Sequence, residues 1–158
     1  MNINTLTSDF AEAVAADEAI KIWTQANYTA DHRVYVGLDV RNPPGEDDCP
    51  YVVLYPVKKQ FGQHRLEKLH EIEVVGCIHD TALRAHEGIS NIREYAGVQN
   101  IEVFRKLNET SIAGVDIGNL TLSVIVVDYE MIESFPFFMF GMVVEVWEGV
   151  TIGSDCLL

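Results

Sequence analysis

Three long runs of β-type residues, 71–79, 120–129 and 137–147, concentrate the apolar side chains of this 158-residue chain and demand a sheet at its centre. Strand side chains point alternately to opposite faces, so a strand covered on one side alternates apolar with polar residues. Run 71–79 does so: Ile72, Val74, Gly76 and Ile78 share one face, and Glu71, Glu73, Val75 and Cys77 the other. The closing runs do not. Leu122, Val124 and Val126 alternate with Ile125 and Val127, and Phe138 and Phe140 with Phe137. Apolar residues on both faces imply two covers: helices on one side, and loops or another chain on the other, of which another chain is the expected one. The crowded Phe135, Phe137, Phe138 and Phe140 either pack inside the chain beneath the helices or serve a subunit interface.

The first element reads as a helix capped by Asp9, with Glu12 reaching back to the open backbone donors. Phe10, Ala13, Val14, Ile20 and Trp23 form its apolar stripe, broken at Asp17 and Glu18, and it fades near Asn27. Residues 34–38 and 51–57 read as strands around a polar loop, 39–50, that carries the turn signal Asn42-Pro43-Pro44-Gly45. A charged loop is expected over 58–68, then a strand to His79. Segment 81–95, interrupted by Gly88, reads as a loop or short helix, and 98–107 as a helix with Glu102 and Lys106 paired at i,i+4. Gly114 and Gly118 bracket a turn or bulge, and 120–129 and 137–147 form a hairpin through 130–136. The expectation is one α/β (α+β) domain over residues 1–158 in the order α-β-β-β-α-β-β. It has a mainly antiparallel mixed sheet of about five strands and two helices packed on one face. A loose tail covers about 151–158.

Twenty-four acids against 11 bases give a formal charge of -13, which repels nucleic-acid phosphates and excludes sequence-specific nucleic-acid binding as an expectation. The weak basic run Lys58, Lys59, His64, Arg65 and Lys68 reads as a solubilising loop, or as a phosphate contact. No apolar run approaches the roughly 18 residues of a membrane span, and the start, with Asp9 and Glu12 and no basic end, is not a secretory signal. Without a secretory route the Asn-x-Ser/Thr triplets at Asn27, Asn108 and Asn119 are coincidences. Cys49, Cys77 and Cys156 are odd in number and widely spaced, so no disulfide frame is indicated, which fits a reducing cytosol; Cys77 reads as a buried thiol.

Candidate chemistry is sparse. His79-Asp80 with His86-Glu87 is the tightest polar cluster, and could hold a metal at a strand end, but its ligands lack the short convergent spacing of a zinc site, as do His64 and His70. Glu71 and Glu73 point to one side, which is the geometry of a carboxylate pair and equally that of a solvated strand face. Asp47 and Asp48 lack the alternating ligands of a calcium loop. Ser90, Ser111 and Ser123 lack a nucleophile elbow. The expectation is no catalytic, cofactor or metal residue and no enzyme.

The step Asp47-Asp48-Cys49-Pro50-Tyr51-Val52-Val53-Leu54, followed by Gly62 and the 70–79 strand, resembles the tail-terminator and minor tail proteins of long-tailed bacteriophages, as does the order of elements. Segment 81–95 is additional to the simplest pattern of that family. The resemblance implies a tail-terminator-like structural virion protein, from a phage or prophage, without catalysis or cofactors. Copies of it, usually six, would form a ring that caps the tail tube and makes the tail side of the head–tail junction. Its partners would be further copies, the tail-tube protein and the head-completion protein, with no membrane; its place would be the virion, assembled in the bacterial host cytoplasm. Glu71 and Glu73 would face the lumen, where negative charge lets DNA slide. A different reading of the same composition is a non-catalytic acidic binding or adaptor protein that meets a basic partner.

Overall fold

Two helices, not one, precede the first strand. The structure, a computed structural model, describes residues 2–61, 67–81, 85–99, 111–112, 115–116, 120–130 and 135–149. Helix α1 (Ile3–Ala16) is capped by Asn2, whose Oδ1 accepts the Asn4 N–H at 2.9 Å, so Asp9 lies inside the helix rather than at its start. The break at Asp17 is a helix junction. Asp17 leaves the helical backbone region, and its Oδ1 accepts the Ile20 N–H at 3.0 Å, capping α2 (Glu18–Tyr28). A carboxylate there satisfies a backbone donor that helix geometry leaves open. Leu6, Phe10, Ala11 and Val14 of α1 and Ile20 of α2 are buried.

Strand β1 (Arg33–Val36) pairs parallel with β2 (Tyr51–Phe61), in register Val34↔Val52 and Val36↔Leu54. Parallel neighbours need a crossover of roughly a dozen residues or more, and residues 37–50, with a 3-10 turn at Glu46–Asp48, supply it. Gly37 opens the crossover at φ 71, a region that favours glycine, and its N–H donates to the Leu54 carbonyl at 2.9 Å. An ion pair of Arg33 with Asp48 ties the start of β1 to the end of the crossover. Strand β2 pairs antiparallel with β3 (Glu67–His79), and the pairing runs on to Phe61↔Lys68, so much of the charged segment expected as a loop is strand. The register shifts between Pro56 and Lys58, where proline has no N–H to give to a ladder.

Helix α3 (Ala85–Val98) occupies the segment expected as a loop or short helix. Its exposed residues Glu87, Ser90, Arg93 and Glu94 alternate at helical spacing with buried Gly88, Ile92, Tyr95 and Ala96, the pattern of a helix with one face in the core. Gly88 does not break it. A Cβ at that position would sit 2.3 Å from Phe138 Cε2 and Cζ, so glycine is what lets α3 close onto the sheet. The helix expected over 98–107 lies, beyond Gln99, outside the described residues, as does the tail from residue 150. Short strands β4 (Ser111–Ile112) and β5 (Val115–Asp116) pair with each other. Strands β6 (Leu120–Glu130) and β7 (Phe137–Gly149) pair antiparallel, and the main sheet runs β1-β2-β3-β7-β6.

The order α-β-β-β-α-β-β with two helices is therefore corrected. Among the described residues the chain begins α-α-β-β-β-α, the helices are three, and the β1–β2 pair at the edge of the sheet is parallel. Polar content in 81–95 concealed α3, and a capping aspartate that looked like an interruption concealed a junction of two helices.

All three helices contribute to one core with one sheet face. Phe10, Val14, Ile20, Ile92 and Tyr95 close on Val52, Leu54, Ile72, Val74 and Ile78 and on Phe138, Phe140, Met142 and Val144 of β7. Each large apolar side chain so buried stabilises the fold by about 1.5–3 kcal/mol. Gly76 of β3 accommodates the Phe140 ring, whose Cε1 would lie 2.0 Å from any Cβ there. On the opposite face Tyr51, Val53 and Cys77 form a second, smaller cluster against Tyr35, Leu38, Cys49, Tyr55, Phe137 and Met139.

Candidate functional site

The face opposite the helices is covered unevenly. At one end the crossover lies over it: Leu38 and Cys49 pack on the second cluster, and Tyr51, Val53 and Cys77 are buried. Further along β3 and β7 the same face is half-open. Val75, Val143, Glu145 and Trp147 are partly exposed and Glu73 is exposed. Strand register places Val75 opposite Gly141, Glu73 opposite Val143 and Tyr55, and Glu71 opposite Glu145. This half of the face thus mixes aliphatic and aromatic area with three carboxylates. Burial, and then the neighbouring Glu73 charge, push the Tyr55 hydroxyl above its ordinary range, so it is a neutral donor at physiological pH.

The residues singled out for chemistry do not converge. His79 Nε2 lies 3.4 Å from Glu46 Oε2 across the crossover, and its ring meets Phe137 edge-on. Asp80, its neighbour in sequence, turns elsewhere: its Oδ2 accepts from Asn91 Nδ2 at 2.8 Å and from the Tyr28 hydroxyl at 3.3 Å, which ties the end of β3 to α2 and α3. Glu87 is exposed on α3, Ser90 likewise, and His70 is buried in β3. Asp47 is exposed, whereas Asp48 is held by Arg33 and accepts the Gly45 N–H at 2.9 Å. Residues 62–66 of the basic run, His64 and Arg65 among them, and the side chains of Lys58, Lys59, Lys68, His86, Ser111 and Ser123 fall outside what is described. Among the described residues no three His, Cys, Asp or Glu side chains come together as a metal site. Among them, too, no helix is long and apolar enough to cross a membrane.

A groove of about 300 Å³ beside the crossover is lined by Tyr35, Leu38, Asn42, Pro43, Asp39 and Asp48. Its two carboxylates are already occupied by Arg41, at 3.0 Å, and by Arg33, which leaves no pair poised for acid–base work.

Sequence reasoning missed a polar knot between the helices. The Tyr95 hydroxyl and His32 Nδ1 are 2.8 Å apart, and Trp23 stacks on Tyr95 while its indole N–H donates to Glu94 at 3.2 Å. Burial lowers the His32 pKa to about 4, so the imidazole is neutral at pH 7. The knot joins α2 to α3 and is structural. No periodic signal marks it, because its members are 71 residues apart in the Trp23–Glu94 case.

No protein-family model matches the chain, and no curated protein matches it. Among solved structures it is similar to a chain described as from the virion of a native gene transfer agent (GTA) particle. The likeness has a TM-score of 0.55 and covers 90% of this chain and 92% of that one. The two share a fold. At 12% identity the likeness is of architecture, spread nearly end to end over both chains. The same overall architecture thus occurs in a chain of a gene transfer agent virion.

Proposed function

We propose that this chain is a structural virion protein that closes into a ring, caps a tail tube and forms the tail side of a head–tail junction. The observation that carries the reading is the fold shared over nine-tenths of both chains with a virion component. The resemblance of the 47–54 step to tail terminators supplies the finer role and a ring of six as the expected number, an order drawn from likeness rather than geometry. The physical motive for assembly is the half-open face: Val75, Val143 and Trp147 keep apolar area partly exposed on strands whose other face is already filled by the helices. Apolar area of this kind is stabilised by a partner surface, and closed symmetry is the usual arrangement for identical copies.

The test is composition of particles. Tailed particles from cells that carry this gene, purified on a density gradient, should contain the chain at a fixed ratio to tails when quantified by mass spectrometry. Deleting the gene should leave heads and tails unjoined. A Val143→Asp variant that folds as the parent does should be lost from particles. Complete, joined particles without the chain would overturn the reading, and recovery of the chain in the soluble fraction on a basic partner would point to the adaptor role.

A further inference from the structure

Two of the three cysteines meet on the sheet face opposite the helices. Cys77 sits in β3 and is 1% exposed, within the cluster of Tyr51 and Val53, and Cys49 packs against that cluster from the end of the crossover. The register explains the meeting. Tyr51 is the cross-strand partner of Cys77, and Cys49, just ahead of the strand, packs against the cluster to which both belong. The crossover fixes Cys49 there: its N–H donates to the Glu46 carbonyl at 3.2 Å and its Sγ lies 3.7 Å from the Gly45 carbonyl. Each thiol also feels the other. The ionisation of Cys49 is raised, by Cys77 first and then by burial, and that of Cys77 is lowered by Cys49.

We propose that Cys49 and Cys77 are a latent cross-link, reduced in the folded protein as made and closed by a small-molecule disulfide without rearrangement of the fold. Cys49 is the partly exposed sulfur, so exchange starts there. A base in solution takes the Cys49 proton as that sulfur attacks one sulfur of oxidised glutathione, one glutathione thiolate leaves and takes up a proton, and Cys49 becomes a mixed disulfide. The Cys77 thiolate then attacks Cys49 Sγ and expels the second glutathione. Two protein thiols lose two electrons and two protons, and one glutathione disulfide becomes two thiols. The product bolts the end of the crossover to β3, making covalent the cover that the crossover already places over the second cluster. The inference rests on the position of the two sulfurs and is independent of the ring.

The experiment uses the full-length protein, reduced and freed of reductant, then incubated in buffers of graded reduced-to-oxidised glutathione ratio. Free thiols are blocked by alkylation and the protein is mapped by peptide mass spectrometry. Of three thiols, two should disappear together, in one peptide pair joining Cys49 to Cys77, with Cys156 still open to alkylation or capped by glutathione alone. The oxidised protein should remain monomeric on a non-reducing gel and unfold at higher urea, and reductant should reverse both. In C77S, Cys49 should stop at the mixed disulfide. In C156S, the pair should close as in the parent. A folded protein that keeps both Cys49 and Cys77 as separate thiols or separate glutathione adducts at full oxidation overturns the proposal. So does a Cys49–Cys77 link that forms only in urea, or bridging through Cys156. The parent protein supplies these outcomes even where a variant does not fold.

Discussion

Replacing Gly88 by alanine should destabilise this protein, although the same change within a helix ordinarily stabilises it. Alanine is favoured over glycine in a helix interior by about 1 kcal/mol. Here the new methyl would lie 2.3 Å from two ring carbons of Phe138, which is 1% exposed and fixed edge-on to Phe135. Ordinary carbon contact is roughly 3.5–4.0 Å, so the helix or the ring must give by more than an ångström. Overpacking of this kind costs about 1–3 kcal/mol, and the severity of the overlap places the cost at the upper end. Subtracting the helix preference leaves a net loss of about 2 kcal/mol. Gly97, in the same helix, has nothing within 4 Å of its Cβ position, and Gly97→Ala should gain about 0.5 kcal/mol. Urea unfolding followed by circular dichroism reads both. The midpoint should fall by about 1 M for Gly88→Ala and rise slightly for Gly97→Ala, at constant slope. Shortening the ring with Phe138→Leu should make Gly88→Ala less costly, so the double variant should lose less than the sum of the two singles. Equal stabilisation by both alanines would refute the close seat of α3 on β7.

The His32 pKa, lowered from 6.5 to about 4 by burial, makes stability pH-dependent. The unfolded chain binds the proton first, so the contribution is complete above pH 6.5, fades as pH falls toward 4, and amounts to about 3 kcal/mol in all. An NMR titration with a His32 midpoint between 6 and 7 would contradict the burial, to within the roughly one-unit spread of such groups. Asp17→Ala removes the cap on Ile20 N–H and should cost about 1 kcal/mol in urea unfolding, with Asp17→Asn recovering most of it. Self-association should tighten as salt rises, because screening weakens repulsion between subunits of charge -13 while apolar contacts persist; sedimentation that shows dissociation in high salt would place the contact in ion pairs instead.

What could be read from residues alone was whatever repeats over a few positions. Alternation put Ile72, Val74 and Ile78 on one face of β3 and Cys77 on the other, and separated Phe138 and Phe140 from Phe137, as the two clusters show. The second apolar face of β7 was legible in the same way, since Phe137 and Met139 pack on the second cluster and Val143 and Trp147 stay partly exposed, whereas the side chains of 120–130 lie outside the described residues. Contacts between distant residues were not. Segment 58–61 carries lysines and reads as loop, yet pairing with β3 makes it strand, because ladder hydrogen bonds are decided by the neighbouring chain. Gly88 reads as a helix breaker until Phe138 arrives beneath it from 50 residues further on. Cys49 and Cys77 look unrelated until the Tyr51↔Cys77 register brings them to one face. Amphipathic period is local and survives in the sequence, whereas strand direction, glycine's steric role and thiol pairing depend on which segments the tertiary fold sets side by side.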